Sequence, residues 1–153
     1  VKIVLQRVSS AAVTVDGETV GAIGPGLLLL VGFGRGDTEA GIGPMIDKVL
    51  NMRIFPDQQG RFHHSVGELS GELLVVPQFT LYADTSKGRR PDFFGALEPK
   101  AAEVLYERFL SMLAARYSSG RVAGGRFGAH MQVASVNDGP VTILLDYNEQ
   151  EST

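Results

Sequence analysis

The chain has 153 residues, of which 44% are hydrophobic and 20% charged, with no cysteine and a formal net charge of −3. That length points to one domain that buries about two thirds of its unfolded surface without staples. The missing cysteines exclude disulfides, thiol nucleophiles and Cys-based metal sites, while the acidic balance excludes broad phosphate neutralisation, leaving at most a short contact with one end of a nucleic acid and no expected DNA partner.

In chain order, Lys2 to Val8, Ala11 to Val15, Thr19 to Ile23 and Leu27 to Phe33 read as strands, with turns at Asp16-Gly17 and Pro25-Gly26. Thr38 is placed to cap a helix whose apolar positions Ile42, Met45, Ile46, Val49 and Leu50 share one face, although Gly41, Gly43 and Pro44 weaken its first turns. Arg53 to Phe55 reads as a short strand and residues 57–71 as a polar loop. Leu73 to Leu81 is a continuous apolar strand, expected to be buried on both faces. After a polar loop from Ala83 to Phe94, a helix is predicted from Glu98-Pro99 to about Tyr117, with Ala101, Leu105, Phe109, Met112 and Leu113 on one face. Residues 118–125 read as a Ser/Gly-rich loop. Ala129 to Val136 and Val141 to Leu145 read as two strands joined through Asn137-Asp138-Gly139-Pro140, and a frayed tail begins near Tyr147. These elements make an α+β domain, residues 1–146, in which two helices cover a curved, mixed or antiparallel sheet, followed by a flexible tail at 147–153. The longest apolar run is far short of the roughly 20 residues of a spanning helix, and the N-terminal segment does not read as a signal peptide. A cytoplasmic location away from membranes is the expectation.

Some apparent signals carry little chemistry. Gly32-Phe33-Gly34-Arg35-Gly36 follows a strand but lacks the register of a dinucleotide fingerprint and the Lys-Ser/Thr of a phosphate loop, so it reads as a flexible turn. Arg35-Gly36-Asp37 reads as loop composition. His63 and His64 are adjacent, hence on opposite faces of a strand, and no third ligand is spaced to join them in a metal site. Lys87-Gly88-Arg89-Arg90-Pro91 is a basic cluster that reads either as a solvated loop or as a phosphate-contacting loop, since Arg offers paired donors to phosphate oxygens. Thr80 would sit at a strand end; as a nucleophile it needs a base that no His is placed to supply, whereas backbone N–H groups there could stabilise an oxyanion unaided.

Leu5-Gln6-Arg7-Val8, Gln78-Phe79-Thr80-Leu81, Lys87-Gly88-Arg89-Arg90-Pro91, Gly128-Ala129-His130-Met131-Gln132-Val133 and Asn137-Asp138-Gly139-Pro140-Val141-Thr142 together resemble the D-aminoacyl-tRNA deacylases, in order and over residues 2 to about 146. The resemblance implies a homodimeric hydrolase, free of metal and organic cofactors, that cleaves the ester between a D-amino acid, or glycine, and the terminal ribose of tRNA. It implies that Gly139-Pro140 is cis and enters the partner subunit's active site, where its carbonyls fill the volume an L side chain needs; selection by exclusion tolerates many D side chains and glycine. By the same resemblance Arg7 holds Gly139-Pro140 in orientation, Phe127 and Met131 line a terminal-adenosine pocket, and Ala96 lies beside the aminoacyl group. Backbone groups of Gln78, Phe79 and Thr80 polarise the ester, with the ribose 2′-hydroxyl assisting water.

One position departs from the family pattern: Pro77 stands where Ser usually precedes Gln-Phe-Thr, removing a hydroxyl and a backbone N–H from the substrate-binding wall. A related branch that clears L-alanine from a threonine tRNA tends to carry Pro there, but also Ala for Phe79 and a different, trans Gly-Pro segment. The alternatives are therefore such an L-alanyl-tRNA editing enzyme, a non-catalytic module that binds the 3′ end of tRNA, and a small esterase using Thr80 directly.

Overall fold

Alternating apolar residues in the first segment face two different interiors, and this decides the architecture of the computed structural model, which describes residues 1–151. Strand β1 (Lys2–Val15) runs unbroken through the exposed Ser9-Ser10 pair, although it reads as two strands. Its Ile3 and Leu5 join a core under the helices, whereas Val8, Ala11 and Val13 join a second core on the other side of the sheet. Strands β2 (Glu18–Ile23) and β3 (Gly26–Gly32) follow by tight turns and pair antiparallel with the far and near halves of β1. β6 (Glu72–Pro77) lies parallel to β3, and β7 (Val122–Gly124) parallel to β6. The sheet is thus mixed. It is nearly closed as well: a Cβ on Gly21 of β2 would stand 3.0 Å from the Gly124 carbonyl oxygen and 3.2 Å from Leu74 Cδ1.

The runs Leu27–Val31 and Leu73–Val76 are apolar throughout because both faces are covered. Leu27, Leu29, Leu73 and Val75 pack under the helices, while Leu28, Leu74 and Val76 fill the barrel interior. Helix α1 (Ile42–Asn51) buries Ile42, Met45, Ile46 and Val49, as its spacing predicts. Thr38 does cap, but it caps a single 3-10 turn (Glu39–Gly41) through Ala40 N–H, and the α-helix begins beyond it. Helix α2 (Pro99–Arg116) buries Ala102, Tyr106, Phe109 and Leu113. Ala101, expected on that face, is exposed, and Leu105 and Met112 are half-buried. The helices are tied by Arg116, which donates to Asp47 at 2.7 Å and to the Gly43 carbonyl at 3.2 Å.

Three further expectations give way. The polar stretch 57–71 contains β5 (Phe62–His64), which pairs with β4 (Phe55–Pro56), a strand placed later than Arg53 to Phe55. The 118–125 loop contains β7. Ala129 to Val136 and Val141 to Leu145 merge into one long strand, β8 (Gln132–Asp146), paired with β1 along its length. Two residues of the stretch read as a tail are hydrogen-bonded to the body: Tyr147 N–H donates to the Val1 carbonyl, and Glu149 accepts from the Thr38 hydroxyl at 2.7 Å. The remaining two positions, Ser152 and Thr153, lie outside the described residues. Among the described residues no helix is long and apolar enough to cross a membrane.

Candidate active site

Strand β6 is expected to reach Leu81 but stops at Pro77, the last residue paired with β3. Gln78 N–H takes the last sheet position, donating to the Val31 carbonyl at 2.8 Å, and Phe79–Tyr82 then coils into one 3-10 turn. Thr80 is therefore on an exposed turn and not at the end of a buried strand. The turn closes through Leu81 N–H to the Gln78 carbonyl and Ala83 N–H to the Thr80 carbonyl. The N–H groups of Phe79 and Thr80 open it, where a helical turn offers donors without internal acceptors. Two adjacent N–H donors at a bend are what an oxyanion requires.

Thr80 lacks the surroundings of a nucleophile. Its hydroxyl is met by the Gln78 side-chain amide. His63 and His64 stack edge-on in the β4–β5 hairpin, where His64 meets Glu68 at 3.1 Å, and His130 is exposed.

The glycine run after β3 supports this turn and is no flexible loop. A Cβ on Gly32 would lie 2.6 Å from the Gln78 carbonyl oxygen, and one on Gly34 2.3 Å from the Tyr82 ring. Asp37 locks the arrangement, accepting from Gly34 N–H at 2.6 Å and from the Tyr82 hydroxyl at 3.2 Å. Burial, and then the Asp37 carboxylate, push the Tyr82 phenol well above its ordinary value. Asp37 is thus a half-buried hub of the turn. The same strip pairs with residues 93–97: Gly34 bridges Ala96, Arg35 N–H donates to the Gly95 carbonyl, and Leu97 N–H to the Phe33 carbonyl. Ala96 is held half-buried beside the turn, and Phe79 meets Phe93 edge-on at 5.0 Å. Phe93, Tyr82 and the glycines were missed as site-forming residues, and the spaced glycines were the available signal.

On the other flank, a Cβ on Gly125 would lie 2.8 Å from Met131 Sδ and 3.4 Å from Pro77 Cδ, so Met131 and Pro77 converge there. Phe127 is half-buried, 5.9 Å from the Tyr106 ring. Tyr106 donates its hydroxyl to the Val75 and Gly125 carbonyls at 3.0 and 2.8 Å, fixing the flank to β6. Pro77, Gln78, Phe79, Thr80, Ala96 and Met131 thus gather about the turn, while Phe127 packs on the helix-side core at Tyr106.

Arg7, Gly139 and Pro140 form a second group. Val8 pairs with Asn137 and Gln6 with Thr142, so Arg7 alone faces Asp138–Val141, which loops out of β8 as a large bulge and does not join two strands. Within it the Gly139-Pro140 bond is cis and Gly139 has φ 151°, a region costly for any residue with a Cβ. Asn137 braces the bulge by accepting Val141 N–H at 2.8 Å and donating to Thr142 Oγ1 at 3.1 Å. Arg7 is buried, donating from Nε to the Asp138 carbonyl at 2.8 Å and from Nη1 to the Ile54 carbonyl at 2.7 Å. Gly139 and Pro140 themselves are exposed.

The two groups stand apart within the chain. Arg7 lies in register with Leu27 of β3 while Gln78 hangs from Val31, a separation of about 13 Å along the strand. A surface hollow of 380 Å³ lies at Asp57, Arg61, His63 and His64, and another of 480 Å³ at Pro25, Phe55, Leu69 and Arg121; neither includes a predicted site residue. Among the described residues no group of three or more His, Asp or Glu could hold a metal ion.

Residues 4–146 match the family model described as D-Tyr-tRNA(Tyr) deacylase. The chain is 57% identical over 143 residues to a D-aminoacyl-tRNA deacylase of Roseiflexus castenholzii, covering 94% of this chain and 90% of that one. It is 53% identical over 143 residues to another from Myxococcus xanthus, covering 94% and 92%. A solved structure described as a c-Myc DNA Unwinding Element Binding Protein superposes with TM-score 0.92 at 43% identity, covering 97% of this chain and 99% of that one. A probable eukaryotic D-amino acid tRNA deacylase shares the fold, with TM-score 0.84 at 20% identity, covering 95% and 98%.

Proposed function

The chain belongs to the D-Tyr-tRNA(Tyr) deacylase family and is a hydrolase of the aminoacyl ester of D-aminoacyl-tRNA; from that premise we propose that it selects the D hand by excluding the L hand across a subunit interface, in the cytoplasm. The observation that carries this reading is the division of the site. A donor-rich turn flanked by half-buried Met131 lies in one place, and a braced, exposed Gly139-Pro140 bulge lies in another.

In the proposed mechanism the terminal adenosine enters beside Phe127 and Met131, which brings the ester carbonyl to the Phe79 and Thr80 N–H groups. These donors stabilise the oxyanion as water adds to the carbonyl carbon, with the substrate's ribose 2′-hydroxyl taking part in proton transfer. The bond to the ribose 3′ oxygen then breaks, that oxygen is protonated, and free amino acid and tRNA leave. Residues of this chain position and polarise; none serves as a nucleophile. The partner subunit's bulge occupies the volume an L side chain needs, and Arg7 keeps that bulge in place. Glycine, lacking a side chain, passes, so glycyl-tRNA(Ala) is also cleaved. Homodimerisation completes each site, and no metal or organic cofactor takes part.

The test is release of free amino acid from D-tyrosyl-tRNA and L-tyrosyl-tRNA. The reading expects release from the D form alone. Release from L-alanyl-tRNA(Thr) in preference to the D substrate favours the branch that shares Pro77. Binding without release favours a 3′-end-binding module, and equal release from simple amino-acid esters favours a Thr80 esterase.

A further inference from the structure

Beside the proposed site lies an exposed aromatic and cationic surface that the hydrolytic step does not use. Phe94 is 73% exposed. Single exposed apolar residues are ordinary, but here the Arg35 guanidinium lies 4.1 Å from the Phe94 ring centroid, and Arg35 Nε also donates to the Phe94 carbonyl. One face of the ring is taken by the cation and the other is open. Arg35 has no carboxylate partner among the described ion pairs.

The neighbouring loop adds charge. Asp84 and Asp92 close its base by reciprocal backbone bonds of 2.7 and 2.8 Å, and Asp92 also accepts Phe94 N–H at 2.6 Å. The tip carries Lys87, Arg89 and Arg90, all exposed and none in an ion pair among the described residues. In a chain of net charge −3, a ring covered by one unpaired cation thus directly follows a loop that carries three more. The surface is also contiguous with the turn, since Phe93, next in sequence, packs on Phe79.

We propose that Phe94, backed by Arg35, is a stacking platform for an unpaired base upstream of the terminal adenosine, and that Lys87, Arg89 and Arg90 contact the accompanying phosphates. Bases stack on exposed aromatic side chains without regard to sequence, and cations follow the backbone. The geometry of a ribose supports the placement. On the proposed reading its 3′ ester lies at the Phe79 turn and its base beside Phe127 and Met131, so its 5′ phosphate leads elsewhere, and Phe93 joins the platform to the turn. The inference rests on the deacylase reading and deepens it by naming how the enzyme grips RNA beyond one nucleotide.

The experiment compares D-tyrosyl-tRNA with D-tyrosyl-adenosine, the same ester without upstream nucleotides. Phe94→Ala and Arg35→Ala should each lower the ratio of kcat/KM for tRNA over the nucleoside about tenfold, mainly through KM, as expected for the loss of one stacked base. Phe94→Trp should restore it. Neutralising Lys87, Arg89 and Arg90 together should flatten the salt dependence of tRNA binding by about 0.7 in log–log slope per lost phosphate contact. Equal losses on both substrates would place Phe94 against the aminoacyl-adenosine itself and overturn the proposal, as would no change on either. Wild-type protein inactive on both substrates would instead sink the deacylase reading.

Discussion

A glycine with no room for a Cβ exposes the tolerance of the site. At Gly34 the added carbon would stand 2.3 Å from the Tyr82 ring, inside any van der Waals contact. Tyr82 is the last residue of the 3-10 turn and is held by Asp37, so relief must come from moving the turn or breaking the hydroxyl bond. Gly34→Ala should lower kcat on D-tyrosyl-tRNA at least about tenfold, since donors misplaced by a fraction of an ångström lose transition-state stabilisation. Full activity in a folded Gly34→Ala protein would show that the turn does not position the ester. Thr80→Ala is the contrasting case. Its hydroxyl meets Gln78 but no base, and its N–H survives the substitution, so activity within roughly tenfold of wild type is expected. A loss as deep as that of a catalytic serine, with the fold intact, would assign the hydroxyl to the chemistry.

At the scale of elements, Tyr106 on α2 is the clearest coupling between core and site. Its ring is fully buried, and its hydroxyl joins the Val75 carbonyl of β6 to the Gly125 carbonyl beside Met131. Tyr106→Phe keeps the ring and removes both bonds, a loss of about 1–3 kcal/mol in stability by urea unfolding. Burial, and then nearby Glu107, raise this phenol above its ordinary value of 10.0. The folded state therefore resists ionisation while the unfolded chain does not. That contribution is fully present below 10.0 and is lost as pH rises toward the raised folded value. Tyr106→Phe should be less stable near neutrality yet decline less steeply above 10.0; parallel alkaline declines would show that Tyr106 is not the titrating group. Legibility followed the same physics. Helix α1 was readable because its apolar period matches its buried face, and the double-sided burial of β3 and β6 because uninterrupted apolar runs demand it. The α2 face was misjudged because Tyr106, half polar by composition, is one of its anchors and small Ala101 is not. β1 and β8 read as pairs because Ser9-Ser10 and the segment Asn137-Asp138-Gly139-Pro140 mimic turns, and only pairing between distant strands reveals their continuity. Phe79-Thr80-Leu81 prolongs a strand pattern, and its coiling begins where pairing with β3 ends at Val31, a limit set by a distant strand that local sequence does not declare.

For the whole molecule, the candidate site residues were nearly all named from the resemblance, but their separation into two groups is visible only in three dimensions. Strand β8 pairs on one side with β1 and presents exposed Val133, Val136 and Leu144, a liability for an edge strand standing alone and suited to self-association. If a twofold partner brings its bulge to this chain's turn, defects in the two groups should complement each other between subunits. Arg7→Ala releases the bulge and should let L-tyrosyl-tRNA be cleaved, whereas Gly34→Ala impairs the turn. A hybrid of the two, isolated through different tags, contains one site with a sound turn and a sound bulge and another with neither. It should cleave D-tyrosyl-tRNA at roughly half the wild-type rate and leave the L form intact, because an isologous pair shares its parts crosswise. Were bulge and turn to serve the same protomer, the only sound turn in the hybrid would lie beside the released bulge, and L-tyrosyl-tRNA would be hydrolysed along with the D form. The two arrangements thus give opposite answers for the L substrate, and that single measurement decides between them.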